Sequence, residues 1–84
     1  MITKSEINLL REKIRDVAQY ERHGGPYDRG SADSYYCRGQ DPHYYVGSTG
    51  STRVTITDTN SEEYLAYLLG YLENENSGNF KDWG

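Results

Sequence analysis

At 84 residues and 35% hydrophobic content, the chain has the size of one small domain, which buries a limited share of its surface and leaves little room for a deep catalytic cleft. The net charge of −4 is unevenly held: residues 1–53 carry eight Lys/Arg against seven Asp/Glu, whereas residues 54–84 carry Lys81 alone against six. That acidic final third repels a sheath of nucleic-acid phosphates, and no run of roughly 18 apolar residues is present to cross a membrane.

Thr3 and Glu6 form a capping box, and Ile2 with Ile7 a hydrophobic staple, so a helix is expected to begin at residue 4. Ile7, Leu10, Ile14 and Val17 recur at steps of three and four and line up as one apolar stripe. Gly24, Gly25 and Pro26 end the pattern, which predicts a first helix over 4–22. If that stripe stays exposed, it marks a homodimer surface. Asp28 stands where it can cap a short second helix over 29–38, with Ala32, Tyr35 and Tyr36 on one face and Gly39 and Pro42 beyond its end.

From His43 to Thr57, β-favouring residues flank Gly47-Ser48-Thr49-Gly50, and Val54 and Ile56 alternate with Arg53, Thr55 and Thr57. This predicts a hairpin over 43–57, one that must lean on the helices because two strands alone are marginal in water. Thr59 and Glu62 supply a second capping box and open a helix over 60–74. Tyr64, Leu65, Tyr67, Leu68, Leu69, Tyr71 and Leu72 leave it almost no polar face, the pattern of a central, buried element. Gly70 in its middle costs about 1 kcal/mol relative to alanine, which calls for close backbone approach by another element. The tail, residues 75–84, is polar apart from Phe80 and Trp83, which are expected to dock back on the body. The sequence thus predicts a single domain over 1–84, mostly α with a small α+β character: three helices with a short β-hairpin between the second and third.

His23, Cys37 and His43 are the soft or borderline metal ligands, and they lack the short paired spacings of a zinc site, so neither metal nor cofactor is expected. A Cys37 nucleophile with His43 as base has a glycine and a proline between its members and nothing to orient the base. The glycine stretches do not match a phosphate loop. A non-enzymatic protein is the expectation. With one cysteine, no intrachain disulfide and no apolar leader in "MITKSEINLLREK", it is expected in the cytoplasm.

The segment "YDRGSADSYYCRGQDPHYY", Tyr27 to Tyr45, concentrates guanidinium and aromatic groups, which stack on exposed bases and dominate protein interfaces. One reading makes Arg29, Tyr36, Arg38, His43, Tyr44 and Tyr45 a contact surface. The other packs Tyr35 or Tyr36 on the last helix and pairs the arginines locally with Asp28, Asp33 and Asp41.

"PYDRGSADSYY", "DPHYY", the Tyr-x-x-Gly-Tyr-x-x-Asn of "YLLGYLEN" and the ending "FKDWG" resemble a group of small, mostly uncharacterised proteins of tailed bacteriophages and prophages. The order of features over residues 26 to 74 is also similar, more distantly, to the bacterial ribosome modulation factor family: Arg29-Gly30 opening a short helix, Pro42 with Tyr44, then Tyr67-Leu68-Leu69-Gly70-Tyr71. Members of that family are strongly basic and sit on ribosomal RNA, whereas this chain is acidic and "STGSTRVTIT" has no counterpart in them. The resemblance implies a shared two-helix unit in which Gly70 admits the short helix. It also implies a phage-type accessory protein acting in the bacterial host cytoplasm on a host macromolecule, with a protein partner favoured over RNA by the acidic third. Two alternatives stand beside it: a ribosome-associated or RNA-binding module, and an acidic mimic whose helix from Glu62 to Glu75 occupies a basic site on a host nucleic-acid-binding protein.

Overall fold

The structure, a computed structural model, describes residues 3–47 and 50–82. The staple residue Ile2, the hairpin-loop residues Ser48 and Thr49, and Trp83 lie outside the described residues. Three helices and a two-stranded antiparallel hairpin follow in the order α1 (Lys4–Glu12), a 3₁₀ helix (Val17–Tyr20), α2 (Pro26–Tyr35), β1 (His43–Tyr45), β2 (Arg53–Thr55) and α3 (Glu62–Ser77). The hairpin lies between the second and third α-helices, as the sequence predicts.

Thr3 caps α1, its hydroxyl accepting a hydrogen bond from the Glu6 amide at 3.2 Å. The helix stops at Glu12, ten residues short of the predicted end. Lys13 and Ile14 donate to carbonyls three residues back, the tighter bonding of a terminating turn, and Asp16 leaves the helical region at φ −142°. A straight helix over 4–22 would run about 28 Å at 1.5 Å per residue. The bend at residues 13–16 instead returns Tyr20 to the start of α3, where its hydroxyl donates to Glu62 at 3.2 Å. Ile14 remains buried and Val17 still packs on the core, so the apolar spacing survives a change of helix type.

Gly24 and Gly25, expected to end the first helix, open the second. Gly25 is the N-cap of α2 and Pro26 its first residue, where a missing N–H loses nothing. Asp28, expected as the cap, sits in the first turn and accepts the Gly24 amide at 3.0 Å. The helix therefore starts three residues before the predicted 29 and ends at Tyr35 rather than Arg38, after which Cys37 turns the chain at φ +58°.

In the hairpin His43 faces Thr55, Tyr44 faces Val54 and Tyr45 faces Arg53. The outer edge of β1 is occupied: the Tyr45 amide donates to the Gly24 carbonyl at 2.8 Å, and the Arg22 guanidinium donates to the carbonyls of Tyr45 and Gly47 at 2.7 and 2.8 Å. These bonds give a marginal ribbon its support.

Ser61, not Thr59, caps α3, accepting from the Tyr64 amide at 3.2 Å, and Glu62 and Glu63 lie at the positive end of the helix dipole. The helix ends at Ser77, three residues past the predicted 74, and Gly78 closes it in the left-handed region at φ +73°, its amide donating to the carbonyls of Asn74 and Glu75. In the tail the Lys81 amide donates to the Tyr35 carbonyl at 2.7 Å, while Phe80 stays exposed.

The core forms where α1 and the bend and 3₁₀ helix that follow it meet α3, from Ile7, Ile14, Ala66 and Leu69, with Leu10, Val17, Tyr20, Tyr27, Leu65 and Leu72 around it. The α1 stripe is thus covered within the chain, and Leu9, 59% exposed, stands outside it. Against α2 the contact is backbone on backbone. A Cβ on Gly70 would fall inside the van der Waals envelope of the Tyr27 carbonyl oxygen, and one on Gly30 inside that of Tyr67. The close approach that Gly70 calls for is α2, and α2 answers with a glycine of its own.

Burial and a hydrogen bond to a carboxylate push two phenols, Tyr20 on Glu62 and Tyr27 on Glu73, up to about 12 from the ordinary value of 10.0. Burial raises Tyr67 and Tyr71 as well. The folded chain then keeps protons that the unfolded chain releases, so this stabilisation is complete below pH 10 and is lost as pH rises through 12. We predict two stages of tyrosinate absorbance on alkaline titration, the second coinciding with loss of helical circular dichroism. One stage completed near pH 10 with the helices intact contradicts this.

Candidate functional site

Arg29 and Asp33 stand four apart on α2 and so share a face. The turn after α2 adds Arg38, the loop before the hairpin adds Asp41, and strand alternation puts His43 and Tyr45 on one side of β1. These residues and Arg53 of β2 line an open cleft of about 470 Å³.

Its floor is polar and buried. Asp33 is 3% exposed and His43 4%, and each is satisfied. Asp33 accepts from the Tyr67 hydroxyl and from Arg38, whose Nε and second terminal nitrogen lie 3.1 and 3.0 Å from Oδ1. The Tyr67 oxygen in turn accepts the Asp41 amide at 2.8 Å, so one phenol from α3 ties α2 to the loop. His43 Nδ1 lies 2.5 Å from the Asp41 carbonyl, and Arg29 Nε lies 3.3 Å from His43 Nε2. A carbonyl only accepts and a guanidinium only donates, so this geometry puts the ring proton on Nδ1 and leaves Nε2 as the acceptor.

The rim is cationic and aromatic. The Arg29 guanidinium lies over the Tyr45 ring at 5.4 Å from its centroid, and Tyr45 meets His43 edge to face at 5.7 Å. Arg53 pairs with Asp41 at 2.7 Å, and Arg38 also covers the Tyr36 ring at 4.9 Å. Three guanidiniums against two carboxylates leave one positive charge in excess. Arg29 carries it: among the described residues it pairs with no carboxylate, and its hydrogen bond uses Nε alone.

Four of the six expected contact residues, Arg29, Arg38, His43 and Tyr45, come together in this cleft. His43 is too buried to be a contact residue and serves as the support on which Arg29 rests. Tyr36, 38% exposed, flanks the cleft beneath Arg38. Tyr44 turns to the opposite face, beside Val54 and Glu63. The local pairing reading also holds in part, through Arg38 with Asp33, while Asp28 caps Gly24 instead. Sequence reasoning passed over Arg53 as a site residue, Asp33 and Asp41 except as local partners, and Tyr67, one of several similar tyrosines on α3. The four-residue step from Arg29 to Asp33 was the available signal.

Cys37 is exposed and lines a different depression with Tyr71, Glu75 and Phe80. Among the described residues, no three His, Cys, Asp or Glu side chains are grouped to hold a metal ion, and no helix is long and apolar enough to cross a membrane. No family model, curated protein or solved structure matches the chain.

Proposed function

We propose that the chain is a small, non-enzymatic, phage-type accessory protein that binds a host protein in the bacterial cytoplasm through the Arg29–Arg38–Tyr45 cleft and the neighbouring Tyr36. The observation that carries the reading is Arg29, held by His43 and Tyr45 with its charge uncompensated by a carboxylate among the described residues. Arginine and tyrosine on a rigid base are the groups that anchor interfaces, because little side-chain freedom is left to lose on binding.

Capture from bacterial lysate by the immobilised wild type and by Arg29→Ala/Arg38→Ala tests it. An anchor arginine contributes about 2 kcal/mol or more, so the double variant is expected to weaken capture at least about thirtyfold while its circular dichroism is retained. Equal capture by a folded double variant places the contact elsewhere.

The second reading, a ribosome-associated or RNA-binding module, draws support from the α2–α3 crossing, because Gly30 and Gly70 are the glycines of the two segments that carry that resemblance. It requires binding to ribosomes or RNA that falls steeply with salt. The acidic-mimic reading has less support. Of its four carboxylates, Glu62, Glu73 and Glu75 accept hydrogen bonds from Tyr20, from Arg11 and Tyr27, and from Ser34.

A further inference from the structure

We propose that the Arg29 cleft is a carboxylate-recognition site, built for a single Asp or Glu side chain in an apolar stretch of a partner protein. The inference rests on the binding role just given to the cleft and adds the chemistry of what enters it. Three features carry it.

The first is orientation. Arg29 is fixed at both sides of its plane edge and face: Nε donates to His43 Nε2 at 3.3 Å, and the face lies on Tyr45. His43 is itself fixed by the Asp41 carbonyl. With Nε engaged, the two terminal nitrogens remain as a planar fork, the geometry that takes a carboxylate through two parallel hydrogen bonds. The second is charge. The cleft holds one positive charge in excess, which a monoanion neutralises. A polyanion brings repeated charge against Asp41, whose side chain is 67% exposed at the rim beside Arg53. Nucleic-acid phosphates therefore fit worse than one isolated carboxylate. The third is the surround. Tyr45 and Tyr36 offer aromatic surface beside the cations, which suits apolar residues flanking the acid.

The experiment follows the Arg29 Nε–H and Tyr45 ring signals by NMR during titration with N-acetyl-Leu-Glu-Leu-amide. The same peptide with glutamine in place of glutamate, inorganic phosphate and an oligouridylate are titrated in parallel. Saturable shifts with the glutamate peptide are expected, at least about tenfold weaker with the glutamine peptide, which removes a charge-assisted contact of about 1.4 kcal/mol or more. Arg29→Gln is expected to weaken the glutamate peptide by a similar factor, and Arg29→Lys to restore only part, since an ammonium keeps the charge and loses the fork. Thermal melts confirm that both variants fold.

Equal binding of the two peptides overturns the proposal, as does displacement of the glutamate peptide by oligouridylate or phosphate at lower concentration. Absence of any peptide binding also overturns it. In that case lysate capture that still depends on Arg29 and Arg38 keeps the cleft as a contact surface of another chemistry, whereas capture indifferent to both removes the broader reading too.

Discussion

Gly30→Ala lowers the thermal midpoint by at least about 10 °C, or abolishes the cooperative transition, with Gly70→Ala doing the same. A Cβ on Gly30 would meet the Tyr67 carbonyl and come within 3.0 Å of the Tyr71 amide nitrogen; one on Gly70 would meet the Tyr27 carbonyl and come within 3.1 Å of the Ser31 amide nitrogen. The obstacles are backbone atoms of a helix, which no change of rotamer can move. Overpacking a core costs about 1–3 kcal/mol, and a clash with immovable backbone belongs at the top of that range. In a domain of this size each 1 kcal/mol shifts the midpoint by about 4–8 °C. Intrinsic propensity acts the other way, favouring alanine over glycine inside a helix by about 1 kcal/mol. The two effects differ in sign, so circular-dichroism melts separate them: a raised midpoint in either variant means that α2 and α3 do not touch at these residues.

Tyr67→Phe is the other large effect, about 3 kcal/mol of stability lost for the removal of one oxygen. That oxygen donates to buried Asp33 and accepts the Asp41 amide. Each group left without its partner costs about 1–3 kcal/mol when water cannot replace the bond. Asp33 keeps Arg38, which holds the loss below that of an isolated buried charge. Tyr71→Phe is the control: the Tyr71 ring stacks on Tyr67 with centroids 6.4 Å apart, but its hydroxyl makes no hydrogen bond among the described residues. It is expected to change stability by less than about 0.5 kcal/mol. Chemical denaturation of both variants checks the contrast, and equal losses would mean that the Tyr67 hydroxyl is not part of the floor.

Features governed by local chemistry were legible in the sequence. Thr3 caps where its side chain reaches Glu6, the hairpin forms where β-favouring residues flank glycines, and Gly70 marks a close approach. Errors arose where distant contacts chose between local options. Ile14 and Val17 satisfy an apolar stripe in either an α or a 3₁₀ turn, and the packing of Tyr20 on Glu62 decides for a bend. Gly24 and Gly25 suit the end of one helix as well as the start of the next. The site shows the same division. Arg29 and Tyr45 announced themselves by type, but the buried Asp33–Tyr67–Asp41 support joins three elements, and no spacing along the chain reports it.

The crossing of α2 and α3 has the form of a symmetric contact. Tyr27 and Gly30 stand three apart, as do Tyr67 and Gly70, and each glycine meets the carbonyl of the other segment's tyrosine and the amide one residue beyond the other glycine. Exchanging the two segments leaves the pattern unchanged, the property of an isologous interface between identical subunits. Here both halves belong to one chain, so each seals the other and the matching face is closed to side-by-side pairing of copies. An association between copies through this face would require trading α3 for α3, which reproduces the same contact.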